Sequence, residues 1–184
     1  MRSKTLFLFT FAVLVAGAPA LAGDLGLLGS YWDTDALGET AGGGVRYAIG
    51  DAALRLELRG SYFPDLTEDF SELVDDGSGE IEVEAIVPEA GIAYNFAPGG
   101  STQFYLGAGL SYYLLDATDF ELDDEVGYYG VAGLNLGGRG DGPAFLVEVM
   151  YRSVEGTVED EDLVRDVDVD LSGPAANIGV LFRF

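Results

Sequence analysis

Cysteine and histidine are both missing from this 184-residue chain. Without cysteine there is no disulfide and no lipid-modified N-terminal residue, so backbone pairing and packing alone must hold the fold. Without histidine or cysteine the commonest general base and the best thiol nucleophile are also gone. That excludes a Ser-His hydrolase, and the chain reads as a non-enzyme. Basic residues are scarce: nine Lys and Arg stand against 32 Asp and Glu, for a net charge of −23. Such a chain repels a phosphate backbone, which opposes a nucleic-acid partner. No apolar run approaches the roughly 20 residues that a transmembrane helix requires. Neither a heptad nor a sustained 3.6-residue period appears, so the abundant Gly and aromatic residues point to many short strands.

The two ends of the chain carry the clearest signals. At the C-terminus, Asn177 to Phe184 alternates apolar Ile178, Val180, Phe182 and Phe184 with Asn177, Gly179, Leu181 and Arg183. One greasy face and one polar face suit a strand that separates hydrocarbon from a polar interior. Its polar-x-Gly-x-x-aromatic-x-aromatic spacing, on Asn177, Gly179, Phe182 and Phe184, resembles the C-terminal insertion signal of bacterial outer-membrane β-barrels. At the N-terminus, Arg2 and Lys4 precede an apolar run from Leu6 to Ala16, then Gly17, Pro19 and Ala20-Leu21-Ala22. This reads as a secretory signal peptide over residues 1–22, cleaved after Ala22, and leaves one domain over 23–184.

Period-two alternation predicts eight strands: 24–32, 39–49, 53–63, 80–96, 102–114, 126–137, 144–155 and 172–184. Connections near 50–52, 97–101 and 138–143 are short, whereas those at 64–79, 115–125 and 156–171 are long. Short turns on one rim and long loops on the other are the anatomy of an outer-membrane barrel. The expected fold is therefore all-β, an eight-stranded antiparallel up-and-down transmembrane barrel.

Which face lies inside is a separate question. Leu54, Leu56 and Leu58 alternate with Arg55, Glu57 and Arg59, and Phe145, Val147, Val149 and Tyr151 with Leu146, Glu148, Met150 and Arg152. A soluble periplasmic barrel, lipocalin-like and ligand-binding, would turn the apolar face inward, and that is the alternative reading. The aromatics favour the membrane. Tyr47, Tyr94, Phe96, Phe104, Phe145, Phe182 and Phe184 cluster near turn ends, and Tyr31, Trp32, Tyr62, Phe63, Tyr112, Tyr128 and Tyr151 near loop ends. Two such girdles bracket an apolar band ~25 Å tall. In the fourth strand the apolar set changes from odd to even positions around Pro88, which predicts a β-bulge at Pro88 and Glu89.

Charge is partitioned in the same way. Of the 32 acidic residues, 24 fall in 33–39, 65–80, 116–125 and 155–170, loops or loop-side strand ends. Arg46, Arg55, Arg59, Arg152 and Arg183 fall on inward positions, with Glu57, Glu82, Glu84, Glu89 and Glu148 as inward partners. Buried ions need such partners, since an unpaired one costs several kcal/mol. Eight strands leave a lumen that side chains can fill. The network reads as a plug, or alternatively as the lining of a narrow ion or small-solute channel. Gly107, Gly109, Gly127 and Gly133 leave room on one wall for the Arg side chains or for Tyr105, Tyr113 and Tyr129.

Asp166, Asp168 and Asp170 alternate along an extended segment, a spacing that could put three carboxylates on one face and suit a weak divalent-cation site for Ca²⁺ or Mg²⁺. The EF-hand pattern is incomplete, because Leu171 stands at the loop Gly position and Asn177 at the bidentate Glu position. Solvated charge or loose divalent screening is the favoured state, and no other cofactor is expected.

With strands, turns, loops and terminal Phe taken together, the chain resembles small outer-membrane β-barrels of the OmpA-like or opacity (porin-like) family. The resemblance is one of architecture and carries over only the insertion signal and the alternation. It implies a location in the bacterial outer membrane. It also implies outer-membrane lipid and lipopolysaccharide as surroundings, the barrel assembly machinery as a partner, and a monomer. The expected role is structural or surface-interacting, through acidic extracellular loops. No peptidoglycan-binding domain accompanies the barrel, so cell-wall anchoring is not expected.

Overall fold

Eight alternating segments pair into one closed ring. The computed structural model describes residues 23–35, 38–50, 53–69, 80–96, 98, 100–117, 124–137, 142–158 and 167–183. Residues 1–22, the expected signal peptide, lie outside them. The strands are β1 (Gly23–Thr34), β2 (Gly38–Ile49), β3 (Leu54–Asp69), β4 (Glu80–Asn95), β5 (Thr102–Ala117), β6 (Glu125–Leu136), β7 (Ala144–Ser153), β8 (Glu155–Val158), β9 (Val167–Asp170) and β10 (Gly173–Arg183). Every pairing is antiparallel, and the barrel order is β1-β10-β7-β6-β5-β4-β3-β2, closed. The long connection between β7 and β10 contains an unforeseen element: β8 and β9 pair with each other as a separate two-stranded sheet.

The short connections and both barrel termini share one rim. Gly50 (φ 100°) and Gly137 (φ 90°) turn the chain there, a left-handed conformation that residues with a Cβ rarely adopt. Backbone bonds tie these turns to their neighbours, Gly137 N to Ser101 O at 2.8 Å and Phe96 N to Phe104 O at 2.9 Å. At the opposite rim β3, β4 and β5 run on for 16 residues each, so the third strand continues beyond its expected end.

The faces have the outer-membrane polarity. Leu54, Leu56, Ile92, Leu110, Val149 and Ile178 are exposed on the outside, while Arg55, Glu57, Arg59, Glu89, Glu148 and Arg152 are buried inside. An unbroken apolar exterior of this extent needs hydrocarbon as its solvent, and a charged lumen is the reverse of a soluble lipocalin-like interior. Tyr31, Tyr62, Tyr112, Tyr128 and Tyr151 face outward toward the loop rim, and Tyr94, Phe96, Phe104, Phe145 and Phe182 toward the turn rim. Three expected members of these girdles are buried instead. Trp32 and Phe63 are 0 % exposed because Tyr31 and Tyr62 already hold the outward positions beside them, and adjacent strand residues cannot share a face. Tyr47 is covered beside β1, where a Cβ on Gly23 would lie 3.2 Å from its ring.

The bulge is not at Pro88. Gly60 faces Pro88 and Arg59 faces Glu89 in unbroken register, and β4 keeps one register with β5 from Ile86↔Leu114 to Glu89↔Ser111. Proline costs a donor there without shifting the strand. The slip occurs on β3 instead, between Phe63↔Ala85 and Leu66↔Val83, where Pro64 and Asp65 oppose the single residue Glu84. Consequently the odd positions of β4 stay inward throughout: Val83, Ala85 and Val87 are buried, and Glu84 is exposed on the outer face.

Two apolar clusters fill the lumen ends around its charged middle. Leu28, Ala93, Tyr105, Ala144, Leu146 and Leu181 lie toward the turns. Toward the loops a larger one includes Trp32, Phe63, Leu66, Val83, Val87, Tyr113, Val154 and Leu171. Glycines make room for the inward tyrosines: Tyr105 pairs with Gly133 and Tyr129 with Gly109 across the β5–β6 ladder. A Cβ on Gly109 would come 2.7 Å from the Tyr129 ring, and one on Gly133 would collide with the Tyr105 ring. Gly133→Ala is therefore expected to cost about 1–3 kcal/mol through overpacking, read by urea unfolding in lipid vesicles; an unchanged midpoint would contradict the placement of Tyr105.

Candidate functional site: the lumenal charge network

Alternation places Glu57 and Arg59 on one face of β3, Arg46 on the adjacent β2, and Glu148 on β7. Strands β3 and β7 lie four places apart in either direction round the ring, so they are diametrically opposed. Arg59 nevertheless reaches Glu148: Nη1 donates to Oε2 and Nη2 to Oε1, both at 2.7 Å. This fork-on-fork geometry crosses the full lumen. Arg59 also donates to Glu57 Oε2, from Nε at 3.2 Å and Nη2 at 2.8 Å. Glu57 Oε1 accepts from Arg46 Nε at 3.0 Å and from Arg46 Nη2. Two guanidinium groups thus share two carboxylates, and the central cluster is neutral.

Polar neighbours complete it. Glu148 accepts from the Tyr105 hydroxyl and from Asn177 Nδ2, the latter at 2.8 Å. The Arg46 guanidinium lies 4.8 Å from the Tyr105 ring centre and that of Arg59 lies 5.6 Å from Tyr129, adding cation–π contacts. All four charged groups are buried. Their attraction outweighs desolvation only because nearly every remaining lone pair or N–H finds a partner; Arg46 Nη1 lacks one among the described residues.

Two smaller groups flank the centre. Toward the loops, Arg152 Nε donates to Glu89 Oε1 at 3.1 Å and the Ser111 hydroxyl donates to the same oxygen at 3.3 Å. Toward the turns, Arg55 Nη1 donates to Asp24 Oδ2 at 2.7 Å and Arg55 Nε to the Gly50 carbonyl at 2.9 Å. Arg183 lies 3.6 Å from the other Asp24 oxygen.

The sequence-predicted residues divide accordingly. Arg46, Glu57, Arg59 and Glu148 come together at the centre, Glu89 and Arg152 form a pair, and Arg55 and Arg183 share Asp24. Glu84 belongs to none of these: the bulge sits on β3 rather than β4, so it faces outward. The Glu82 side chain lies outside the described residues. Sequence reasoning missed Asp24, which the alternation of β1 turns inward opposite Arg183. It also missed a second task for Asn177, whose place in the insertion signal coincides with a bond to Glu148. Gly179 and the outward Phe182 occupy β10, and Phe184 lies outside the described residues.

Of the proposed cation ligands, Asp166 and the Asp168 side chain also lie outside the described residues. Asp170 is exposed, and its Oδ1 accepts from Ser172 N at 2.9 Å. Bonds from the Ser172 side chain and backbone hold its carboxyl below the ordinary range. No cluster of three ligating side chains occurs among the described residues.

Removing Glu148 leaves two buried guanidinium groups to share the single carboxylate of Glu57. Glu148→Ala is expected to destabilise the barrel by about 3–5 kcal/mol, and the double variant Arg59→Ala with Glu148→Ala should lose less than the sum of the two single losses. A double-mutant cycle in vesicles measures this, and additive losses would dissolve the claimed pair.

Neither a protein-family model nor a curated protein sequence matches the chain. Among solved structures, the outer membrane protein OprG from Pseudomonas aeruginosa is similar at 18 % identity and TM-score 0.69, over 89 % of this chain and 97 % of that one. Neisserial surface protein A is similar at 14 % identity and TM-score 0.62, with the same coverages. A major outer membrane protein from Thermus thermophilus is similar at 11 % identity and TM-score 0.54, over 89 % and 100 %. At these identities the likeness is one of fold, and the fold is that of small outer-membrane β-barrels.

Proposed function

We propose that the protein is a non-enzymatic outer-membrane barrel whose lumen is sealed and whose role is structural or surface-interacting, exercised through its acidic loops. The observation that carries the sealed lumen is the Arg59–Glu148 bridge, which joins opposite walls at bonding distance. Above it Trp32 on β1 and Tyr113 on β5 also meet across the diameter, with ring centres 5.8 Å apart. Val154 and Leu171, at the base of the β8–β9 hairpin, are buried in the same cluster. Ser172 fastens that base, since its hydroxyl accepts from Val154 N at 3.1 Å and Asp35 N donates to its carbonyl at 2.9 Å. A hydrated ion would have to break a neutral, cross-bonded layer and then pass an apolar one, and both steps oppose conduction.

A closed lumen leaves the outside of the molecule to act. The apolar belt and its girdles fit a bilayer, with lipid and lipopolysaccharide as the surroundings and a monomer as the working unit. The loop segments hold 24 of the chain's 32 carboxylates, which favours divalent-bridged or cationic surfaces over anionic ones.

In a planar bilayer the refolded barrel is expected to insert and stay silent. A variant combining Trp32→Ala, Arg59→Ala and Glu148→Ala, if it inserts, should show discrete steps. Steps from the unaltered protein that respond to Arg59 substitution would replace this reading with that of a narrow channel.

A further inference from the structure

The β8–β9 hairpin continues the register of β7 and β10 beyond the ring: Arg152 faces Gly173, and further along Glu155 faces Asp170. Between them Leu171 N donates to Val154 O at 3.2 Å, which makes that couple a bonded pair. Bonded and non-bonded pairs alternate along an antiparallel ladder. Gly156 with Val169 and Val158 with Val167 are therefore the next bonded pairs. By the same alternation the backbone N–H and C=O of Asp168 and Asp170 point away from β8, to the free edge of β9.

That edge lies on the side of β1. Ser172, in the same phase as Asp168 and Asp170, directs its carbonyl there and accepts from Asp35 N at 2.9 Å. Beyond this point β1 offers nothing: it ends at Thr34, which faces Gly38 of β2, and residues 35–37 alone connect the two strands. So short a turn cannot flank the whole of Val167–Asp170. Even Ser172 N, level with the end of β1, donates to Asp170 Oδ1 at 2.9 Å rather than to a neighbouring strand. Among the described residues β9 pairs with β8 alone.

An unpaired edge is a template for a further strand, and charge selects which strand it accepts. Residues 155–170 hold eight carboxylates against the single Arg165. Alternation puts Asp168 and Asp170 on one face of β9, and Asp170 is exposed. A second copy of the chain would bring like charges to the same edge, which destabilises cross-strand neighbours, whereas Lys or Arg at every second position would match them.

We propose that the free edge of β9 docks an extended basic segment of a partner protein on the loop side, as an added strand bonded to the backbone of Asp168 and Asp170. This rests on the surface-interacting reading above and names the chemistry of the partner.

The refolded full barrel in zwitterionic nanodiscs is titrated against a fluorescent peptide in which Lys alternates with Val and Thr, with anisotropy as the readout. A twin peptide is N-methylated along its backbone, which keeps the charge and removes the donors. Expected is saturable binding of the first peptide, weakened about tenfold or more in the twin. Asp168→Pro removes an edge-directed N–H and should weaken binding about tenfold beyond Asp168→Asn, which removes the charge alone. Should Asp168→Pro fail to refold, the twin peptide still decides. Equal binding of both peptides would reduce the contact to charge, overturning the added strand while sparing the surface-interacting role. Binding of neither would overturn the proposal and leave closure of the lumen to be judged by conductance. A dimer that forms without peptide and is lost in Asp168→Pro would assign the edge to a second copy and overturn it as well.

Discussion

The lumen of an eight-stranded ring is narrow enough to bury the charges it holds, and that single constraint organises the rest of the molecule. In an eight-stranded ring the inward side chains meet across the diameter, so a charge placed on one wall is neutralised by the other wall or by a close neighbour on its own. Arg59 and Glu148 meet this condition directly, bonded twice at 2.7 Å between opposed strands. Glu57 and Arg46 then balance what remains, and Tyr105 and Asn177 fill the carboxylate's other bonding positions. Because the partners come from β2, β3, β5, β7 and β10, the network is complete only when the barrel has closed. Its energy is that of a clasp on tertiary structure rather than of any one hairpin.

Around this clasp the lumen is graded. Near the turns Arg55 and Arg183 both lie against Asp24. Near the loops the interior becomes apolar and aromatic, held under the β8–β9 hairpin by Val154 and Leu171. The exterior obeys a different solvent: aliphatic side chains at mid-height, tyrosines toward one rim and phenylalanines mostly toward the other. The described arginines all lie on inward positions, which leaves carboxylates such as Glu84 and Asp124 as the outward charges near the loop rim. Tyr112 donates to Asp124 at 3.1 Å there, tying girdle to rim.

Much of this was legible in residue order. Period-two alternation located all eight barrel strands and separated the charged side of β3, β7 and β10 from the apolar one, and the aromatic girdles then assigned the charged side to the lumen. Inward parity also found the tyrosines that rest on glycines of the next strand. What escaped were effects of position that alternation does not encode. The bulge expected at Pro88 lies instead at Pro64 and Asp65, where residue order predicts the start of a loop; pairing of β3 with β4 decides it, and Glu84 changes face as a result. Trp32 and Phe63 were placed in the girdle by residue type, although the neighbouring Tyr31 and Tyr62 already claimed the outward side. The β8–β9 hairpin was hidden by its acidic composition, which reads as solvated loop. Which partner each arginine takes depends on cross-lumen distance, and no linear spacing between Arg59 and Glu148 signals that they touch.

The central claim is that opposite walls are joined through the lumen by one ion pair. Solid-state NMR on the barrel in lipid, with ¹⁵N-labelled arginine and ¹³C-labelled glutamate, measures it directly through dipolar transfer between guanidinium nitrogens and carboxylate carbons. The account predicts strong transfer from the Arg59 Nη nitrogens to the Glu148 carboxylate carbon, lost on Glu148→Gln only for that resonance while the Glu57 transfer persists. Transfer to Glu57 alone, with none across the barrel, would contradict it and leave the lumen unclasped.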